Sequence, residues 1–290
     1  MPLGEERTRG MLASMVCCYE HFLTDWYGTW ASVLPLGRYG IEPGPRPGRP
    51  HRKAWEWTAI AQALHERGML QPGRKGCGFA VGEEPLTSLF AARGAEILAT
   101  DLPATDDAAP WVTTGQHAAS LDSLYRSELI GRDEFDARVR FRPADMRALG
   151  LPWNERFDFV WSSCSIEHLG DLAAGLDFVE QATRLLLPGG CAVHTTEFNV
   201  TSNDDTPSRG DIVIYRRRDI EALDRQLRRV GCGLSRCDFY AGDHPDDLDF
   251  DLPPYGRPDR QHIKLLLGGH VTTSMLLIVQ KGKAPGDGVG

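Results

Sequence analysis

The pattern of apolar and polar positions between residues 73 and 101 predicts a strand, a glycine-rich turn, a helix and a second strand. Leu86, Leu89 and Phe90 give the predicted helix one apolar face, at the spacing typical of an amphipathic helix. The run Ile97–Thr100 predicts the second strand, and Asp101 follows at its end. A strand, a crossover helix and a second strand form a right-handed βαβ unit, so the pattern favours an α/β fold with a parallel sheet.

The first turn contains Gly76, Gly78 and Gly82, which lack a Cβ atom and allow a sharp turn and a closely apposed ligand. A dinucleotide fold would have the spacing G-x-G-x-x-G, whereas this chain has G-x-G-x-x-x-G. We predict Glu83 and Glu84 in the first turn of the helix, where two carboxylates would repel a pyrophosphate. They are compatible with a ligand that carries an ammonium or a sulfonium group.

Further elements follow in a fixed order along the chain. We predict a third strand at residues 138–141, a fourth at residues 157–161 and a fifth at residues 191–197. An amphipathic helix with Leu172, Leu176 and Val179 on one face connects the fourth strand to the fifth, and a final strand covers residues 271–280. The order predicts a sheet between two helical layers.

These segments resemble the class I S-adenosylmethionine-dependent methyltransferases. The resemblance covers roughly residues 53–281 and is carried by the glycine-rich loop, the acids after the second and third strands, and the passage FDFVWSS…EHL…LLLPGG. It implies a Rossmann-like, doubly wound, seven-stranded and mostly parallel sheet with an antiparallel last strand. The sequences of the glycine loop and of residues 194–199, HTTEFN, are similar to those of bacterial methyltransferases that modify small molecules or glycans.

The resemblance also implies which residues bind S-adenosylmethionine. Asp101 would accept both ribose hydroxyls, and Asp145 would accept from the adenine amine. The usual acid on the first strand is absent, because Arg74 and Lys75 occupy that region, so recognition of the methionine ammonium would fall to Glu84 or to backbone carbonyls. The full implied set is Gly76, Gly78, Gly82, Glu84, Asp101, Leu102, Asp145, Met146, Ser162 and Ser163.

His168 and Glu197 are the candidate catalytic residues. His168 follows the fourth strand and Glu197 ends the fifth, so both would project beyond the carboxyl ends of the strands, where open α/β sheets bind ligands. His194 is predicted to be an interior residue of the fifth strand. Residues 251–255, with the sequence DLPPY, are interpreted as a rigid loop. No metal is expected, because the histidines and glutamates of this region lack the i, i+4 pairing of common metal motifs.

Composition limits the classes of protein. The chain has 290 residues, 41% of them hydrophobic and 25% charged, with a net charge of −8. Nucleic-acid substrates are disfavoured, because such proteins need a basic face. Seven cysteines without paired spacing favour a reducing cytoplasm over a disulfide framework, and no apolar run predicts a membrane span. We expect a cytoplasmic monomer or homodimer that acts on a small-molecule acceptor.

The whole chain is predicted to divide into three segments. Residues 1–52 form an N-terminal helical extension with a Pro/Gly linker at residues 37–52, and residues 8–35 are predicted to be helical and to serve as a lid. The methyltransferase domain covers residues 53–283, and residues 284–290 form a disordered tail. The acidic loop at residues 243–251 is interpreted as a solvated charge run that would favour a cationic acceptor if it faced the site.

Three functions remain open from the sequence. The first is methyl transfer to the oxygen or nitrogen of a small molecule, such as a secondary-metabolite or sugar intermediate. The second is an NAD(P)-dependent oxidoreductase, which would share the first βαβ unit. The third is a non-catalytic module that binds S-adenosylmethionine.

Overall fold

A computed structural model describes residues 10–45, 47–104, 108–113, 115–149, 156–257 and 260–283. The predicted tail at residues 284–290 lies outside these ranges. The helices are α1 (Asp25–Ala31), α2 (Arg52–Glu66), α3 (Leu86–Ala92), α4 (Ala109–Thr113), α5 (Arg132–Arg138), α6 (Leu172–Thr183), α7 (Arg217–Arg229) and α8 (Pro245–Leu248). The strands are β1 (Ser14–Val16), β2 (Lys75–Gly78), β3 (Glu96–Asp101), β4 (Val139–Pro143), β5 (Phe157–Ser163), β6 (Leu186–Asn199), β7 (Cys232–Leu234), β8 (Cys237–Asp238), β9 (Leu265–Leu267) and β10 (His270–Lys281).

The strands form one sheet with the order β4-β3-β2-β5-β6-β10-β1-β8, and β7 and β9 also pair with β10. The five strands from β4 to β6 are parallel to their neighbours, while β10 runs antiparallel to β6. This is the predicted Rossmann-like sheet with an antiparallel last strand. It has ten strands instead of seven, because the short strands β1, β8 and β9 extend it beyond β6.

Helices cover both faces of the sheet, as a doubly wound fold requires. One apolar core contains residues of α1, α2, α3 and α5 together with one face of the strands. The other contains residues of α6 and α7 and the opposite face. The carboxyl ends of the parallel strands therefore emerge at one edge, between the two helical layers.

The N-terminal region differs from its prediction. The helix α1 lies within residues 8–35, which were predicted to be helical. Residues Ser14–Val16 instead form the strand β1, in which Met15 pairs with Leu276 of β10, so the prediction is wrong there. Burial explains the difference, because Ser14 and Val16 are fully buried in the sheet. A three-residue strand is also too short to show a period of two in the sequence.

The predicted lid is not formed by α1. Trp30 is 2% exposed and donates a hydrogen bond from Nε1 to Gln62 near the end of α2. Arg93 lies over the Trp30 ring. These contacts place Trp30 in the core beside the C-terminal half of α2, whereas the N-terminal half of that helix reaches the carboxyl ends of the strands.

The helix after the glycine loop also begins later than predicted. α3 starts at Leu86, so Glu83 and Glu84 precede it instead of forming its first turn. None of the helices in the described ranges is long and apolar enough to cross a membrane.

Candidate active site

The site lies at the edge of the sheet where the parallel strands β2, β3, β5 and β6 end and the antiparallel strand β10 begins. In the sheet register Gly78 lies opposite Ala99 on one side and Trp161 on the other. Further along, Ser163 pairs with Thr195, and Glu197 pairs with Ser274. The pairing brings the predicted residues of three separate segments to one edge.

Asp101 ties the end of β3 to the glycine loop. Its Oδ2 accepts hydrogen bonds from the backbone N–H groups of Gly82 and Ala118, both at 2.9 Å, and its Oδ1 accepts from Leu102 at 2.7 Å. Burial raises the pKa of this carboxyl, and the three hydrogen bonds oppose that rise. Since each carboxylate oxygen has two lone pairs, Oδ1 retains capacity for one further donor.

The glycine positions have a packing explanation that the sequence did not reveal. A Cβ on Gly76 would lie 2.2 Å from the Phe159 ring, and a Cβ on Gly78 would lie 2.4 Å from the Trp161 ring. Gly82 adopts φ +52, and a Cβ there would lie 2.4 Å from the carbonyl oxygen of Gln116. All three positions therefore require glycine for the fold itself, before any ligand is considered.

Two residues other than glycine have a left-handed backbone at this edge. Ala80 follows β2 with φ 46, and Cys164 follows β5 with φ 45. The backbone N–H of Cys164 donates to the carbonyl oxygen of Thr195 at 3.1 Å, which fixes the sharp turn at the strand end. Such backbone strain is concentrated at binding and active sites, because elsewhere it only lowers stability.

Glu84 is buried between two tryptophans under the glycine loop. Its Oε2 accepts from Nε1 of Trp57 at 3.2 Å, and its Oε1 accepts from Nε1 of Trp161 at 3.1 Å. Burial raises the pKa of Glu84 to about 8, although the indole hydrogen bonds act in the opposite direction. The carboxyl is therefore poised to ionise if a cation is bound beside it.

The first turn of α2 supplies charged residues that we did not predict for the site. Nη1 of Arg52 lies 2.6 Å from Oε2 of Glu197 and 3.4 Å from the Ser274 hydroxyl. Glu197 is 1% exposed, and its second oxygen, Oε1, is buried without a hydrogen-bond partner among the described residues. A buried carboxylate oxygen of this kind is costly unless a ligand donor satisfies it.

Glu56 connects three elements one turn further along α2. Its carboxylate accepts from Nζ of Lys53 at 2.6 Å, from the Ser163 hydroxyl at 3.2 Å and from the Ser274 hydroxyl at 2.5 Å. Burial acts to raise the pKa of Glu56, but Lys53 and Arg52 outweigh it and lower that pKa to about 2. Glu56 is therefore ionised, and Ser163 is held by protein groups.

Glu167 adds a further buried acid behind the end of β5. It is 1% exposed and accepts a hydrogen bond from the Thr196 hydroxyl at 3.1 Å. Burial raises its pKa, and the charge of Glu197 raises it further. Nδ1 of the nearby His168 donates to the carbonyl oxygen of Asp211 at 2.7 Å, and the His168 ring contacts Trp111 edge-on.

The remaining predicted cofactor residues have partners within the protein. The Ser162 hydroxyl lies 2.8 Å from Nδ1 of His194, on the side of the sheet covered by α6. His194 is fully buried, and burial lowers its pKa to about 3, so it is an interior residue as predicted. Asp145 forms an ion pair with Arg147 at 2.8 Å, and Met146 is 5% exposed within the α6–α7 core.

The charges of the site suit a cationic ligand. Among the described residues, the site contains four buried glutamates, Glu56, Glu84, Glu167 and Glu197, and two partly exposed cations, Arg52 and Lys53. Burial is the main reason why the pKa values of Glu84 and Glu167 are raised, and the nearby charge of Lys53 offsets it only in part. S-adenosylmethionine carries an ammonium and a sulfonium, so the donor set fits this cofactor. No three His, Cys, Asp or Glu side chains in the described ranges group as a metal site.

Residues 76–194 match the family model of the methyltransferase domain. They are a class I, S-adenosylmethionine-dependent methyltransferase domain. The match spans β2 to the middle of β6, which includes the glycine loop, Asp101, the end of β5 and His168. The cofactor of this domain is S-adenosylmethionine.

The methyltransferase also shares structural similarity with solved enzymes. An O-methyltransferase family protein from Burkholderia thailandensis is 16% identical with a TM-score of 0.42; the match covers 81% of this chain and 60% of that chain. Magnesium protoporphyrin IX methyltransferase from Synechocystis PCC 6803 is 13% identical, with a TM-score of 0.46 and coverage of 78% and 82%. The 1,6-didemethyltoxoflavin-N1-methyltransferase of Burkholderia thailandensis is 15% identical, with a TM-score of 0.42 and coverage of 77% for both chains. No curated protein sequence is significantly similar to the chain.

Proposed function

We propose that this methyltransferase transfers the methyl group of S-adenosylmethionine to the oxygen or nitrogen of a small-molecule acceptor, such as a secondary-metabolite or sugar intermediate. One observation supports this most strongly. Within the part of the chain that the structure describes, Oε1 of Glu197 is buried without a hydrogen-bond partner at the edge where the strands end, although Oε2 of the same carboxylate is paired with Arg52. An acceptor hydroxyl or ammonium would satisfy that oxygen.

The proposed cofactor site follows the glycine loop and the ends of β3 and β5. Asp101 has room for one ribose hydroxyl at Oδ1, since its other positions are filled by backbone donors. Glu84 would bind the methionine ammonium. The pKa of Glu84 is raised by burial, and the positive charge of the ammonium would favour its ionised form. The other proposed contacts are Gly76, Gly78, Gly82, Leu102, Asp145, Met146, Ser162 and Ser163.

The chain's own residues would align the acceptor and exclude water. When bound, the cofactor supplies an electrophilic methyl group, and in-line displacement depends mainly on positioning. Glu197 would hold a hydroxyl or amino group of the acceptor that neighbours the reacting group through Oε1, and Arg52 would keep the carboxylate in place. His168 is proposed as a second catalytic residue, because it follows β5 at the same edge.

Calorimetry with S-adenosylmethionine, S-adenosylhomocysteine and NAD tests the cofactor assignment. We expect both sulfur compounds to bind and NAD not to bind. Asp101→Asn should weaken binding by roughly ten- to hundred-fold, since it replaces a charged acceptor. Asp158→Asn is the matched control, because Asp158 also accepts from a backbone N–H, that of Lys75, but at the opposite end of the sheet. Binding of NAD alone would favour the oxidoreductase.

Turnover separates an enzyme from a non-catalytic binding module. Release of S-adenosylhomocysteine should be measured against phenols, hexoses and aminohexoses, with a cofactor-only reaction as the blank. Turnover with any of these classes supports the proposal. Binding of S-adenosylmethionine without turnover against any acceptor would favour the binding module.

The proposal also covers the cellular compartment, the class of acceptor and the oligomeric state of the protein. All seven cysteines are free, which agrees with a reducing cytoplasm. The net charge of −8 disfavours nucleic acid as an acceptor. A monomer or a homodimer is proposed, and size-exclusion chromatography with light scattering distinguishes the two.

A further inference from the structure

A histidine–aspartate pair lies next to the site, and its aspartate, Asp251, begins the loop at residues 251–255. Nδ1 of His262 is 2.8 Å from Oδ2 of Asp251. Asp251 is fully buried, and its carboxylate also accepts from the backbone N–H groups of Leu252 at 2.9 Å and Gly256 at 2.8 Å. The loop thus encloses a carboxylate whose only side-chain partner among the described residues is an imidazole.

These contacts determine which nitrogen of His262 carries hydrogen. Burial acts to raise the pKa of Asp251, but hydrogen bonds from Gly256 and His262 outweigh it and hold that pKa below its usual range. Asp251 is therefore an ionised carboxylate, which can only accept. Nδ1 of His262 must donate, so in the neutral ring Nε2 has a lone pair. No described residue forms a hydrogen bond with Nε2, and the His262 side chain is 13% exposed.

The backbone joins this histidine to the start of α2. His262 N–H donates to the carbonyl oxygen of Pro50 at 3.2 Å, and Arg52 N–H donates to the carbonyl oxygen of His262 at 2.8 Å. The His262 ring stacks on that of His51, with centroids 4.3 Å apart. Because the side chain of the same Arg52 reaches Glu197, one residue connects the backbone of His262 to the buried carboxylate of the site.

The groups around His262 keep it neutral near pH 7. Burial lowers its pKa, and the positive charge of Arg52 lowers it further; Asp251 and Glu56 oppose this without reversing it. The stacked His51 has a pKa lowered to about 3, so it contributes no charge near neutral pH. The Tyr255 ring, which lies edge-on to His262, is neutral because burial raises its pKa.

We propose that His262, positioned by Asp251, takes the proton of a hydroxyl acceptor during methyl transfer. This inference rests on the proposed function. The acceptor O–H bond breaks and its proton moves to Nε2, while the oxygen uses the released electron pair to bond the methyl carbon. The carbon–sulfur bond of the cofactor breaks with its electron pair on sulfur, which leaves a methyl ether, a thioether and an imidazolium.

The chemistry of the acceptor explains why such a base indicates a hydroxyl. Methylation of a neutral amine gives a stable ammonium, so that step needs no proton acceptor. Methylation of a neutral hydroxyl would give a strongly acidic oxonium unless a base removes the proton in the same step. A bare imidazole nitrogen beside the site is therefore useful for a hydroxyl and dispensable for an amine.

Nuclear magnetic resonance tests the protonation state without an acceptor. Long-range proton–nitrogen spectra of protein labelled at its histidine nitrogens, compared with His262→Gln for assignment, should show hydrogen on Nδ1 and none on Nε2 near neutral pH. Asp251→Asn should lower the pKa of His262, because the charge that stabilises the imidazolium is removed. The matched control is the exposed His244 and its neighbour Asp246, 3.5 Å away. Asp246→Asn should leave the His262 signals unchanged.

Acylation by diethyl pyrocarbonate, followed by peptide mass spectrometry, tests access to Nε2. The reagent attacks an unprotonated imidazole nitrogen, so His262 should be modified near neutral pH and protected below its pKa. Hydrogen on Nε2, or an unmodified His262 in folded protein, would overturn the proposal. Calorimetry on His262→Gln and Asp251→Asn should show the wild-type affinity for S-adenosylmethionine. Failure of that binding in the wild type would instead contradict the proposed function.

Discussion

Nη1 of Arg52, the first residue of α2, lies 2.6 Å from Oε2 of Glu197, close to the end of β6. The pair connects the helix that precedes the family match at residues 76–194 to the strand in which that match ends. The Arg52 and Glu197 side chains are 14% and 2% exposed, so water screens the pair little. The N-terminal region therefore contributes a charged residue to the site itself.

Breaking this pair should destabilise the fold. Arg52→Met leaves a buried carboxylate uncompensated, so we expect the free energy of unfolding to fall by about 3–5 kcal/mol. Glu197→Gln should cost less, because the amide oxygen can still accept from Arg52. Chemical denaturation measures both changes. In the double variant the loss should be smaller than the sum, whereas simple additivity would mean that the two groups do not interact.

Glycine 76 should be required by packing. In Gly76→Ala the new methyl group would lie 2.2 Å from the Phe159 ring, so we expect a loss of about 1–3 kcal/mol in unfolding free energy. Phe159→Leu should relieve part of that loss when the two are combined. Gly37→Ala is the control, since a Cβ there meets no atom within 4 Å. Equal effects at positions 76 and 37 would contradict the packing account.

Local patterns predicted the parallel strands well. Residues 97–100 and 157–161 were expected to form strands and lie within β3 and β5. Both are apolar runs between clear turn signals, and their pairing follows from the fold. The reason for Gly76 and Gly78 could not be found in this way, because Phe159 and Trp161 meet them only after β2 and β5 pair.

Stability should depend on pH through Glu84. Its pKa in the folded protein is raised to about 8, mainly by burial, so the native state holds a proton that the unfolded chain releases. This contribution is fully present below the unfolded pKa near 4.5 and is lost as the pH rises through about 8. In that window the wild type should lose up to about 1.4 kcal/mol per pH unit from this group.

Glu84→Gln removes that dependence, because an amide does not titrate. Urea unfolding at several pH values should therefore show that the advantage of the wild type over the variant shrinks as the pH rises. A difference that stays constant with pH would mean that Glu84 is ionised throughout.

Deletion of residues 1–35 should disrupt folding rather than turnover alone. The deletion removes β1, whose Met15 pairs with Leu276, and it removes Trp30 from the α1–α2 core. We expect loss of the cooperative thermal transition in circular dichroism. A stable truncation that binds cofactor but does not turn over would instead restore the lid hypothesis.

Substitution of the two candidate histidines should separate their roles. With a hydroxyl acceptor, His262→Gln should lower kcat by about 10²–10⁴-fold with cofactor affinity nearly unchanged. In the wild type, activity should rise with pH through the pKa of His262, which burial lowers from 6.5. His168→Ala is the comparison, and a larger loss there would make His168 the base.

The site was only partly predictable from the sequence. Asp101 and Glu197 were expected from their places after strands, and both lie at the common edge of the sheet. Arg52 was missed because its role depends on α2 crossing the strand ends. The pair of Asp251 and His262 was missed because its residues meet through a loop without periodicity, which a pattern of apolar positions does not detect.

A crystal structure with S-adenosylhomocysteine tests the central claim most directly. We predict density for the ligand beyond the carboxyl ends of β2, β3 and β5, with its ribose at Oδ1 of Asp101 and its amino group near Glu84. The sulfur should face the edge that carries Glu197. Density elsewhere on the protein, or none at saturating ligand, would contradict the account.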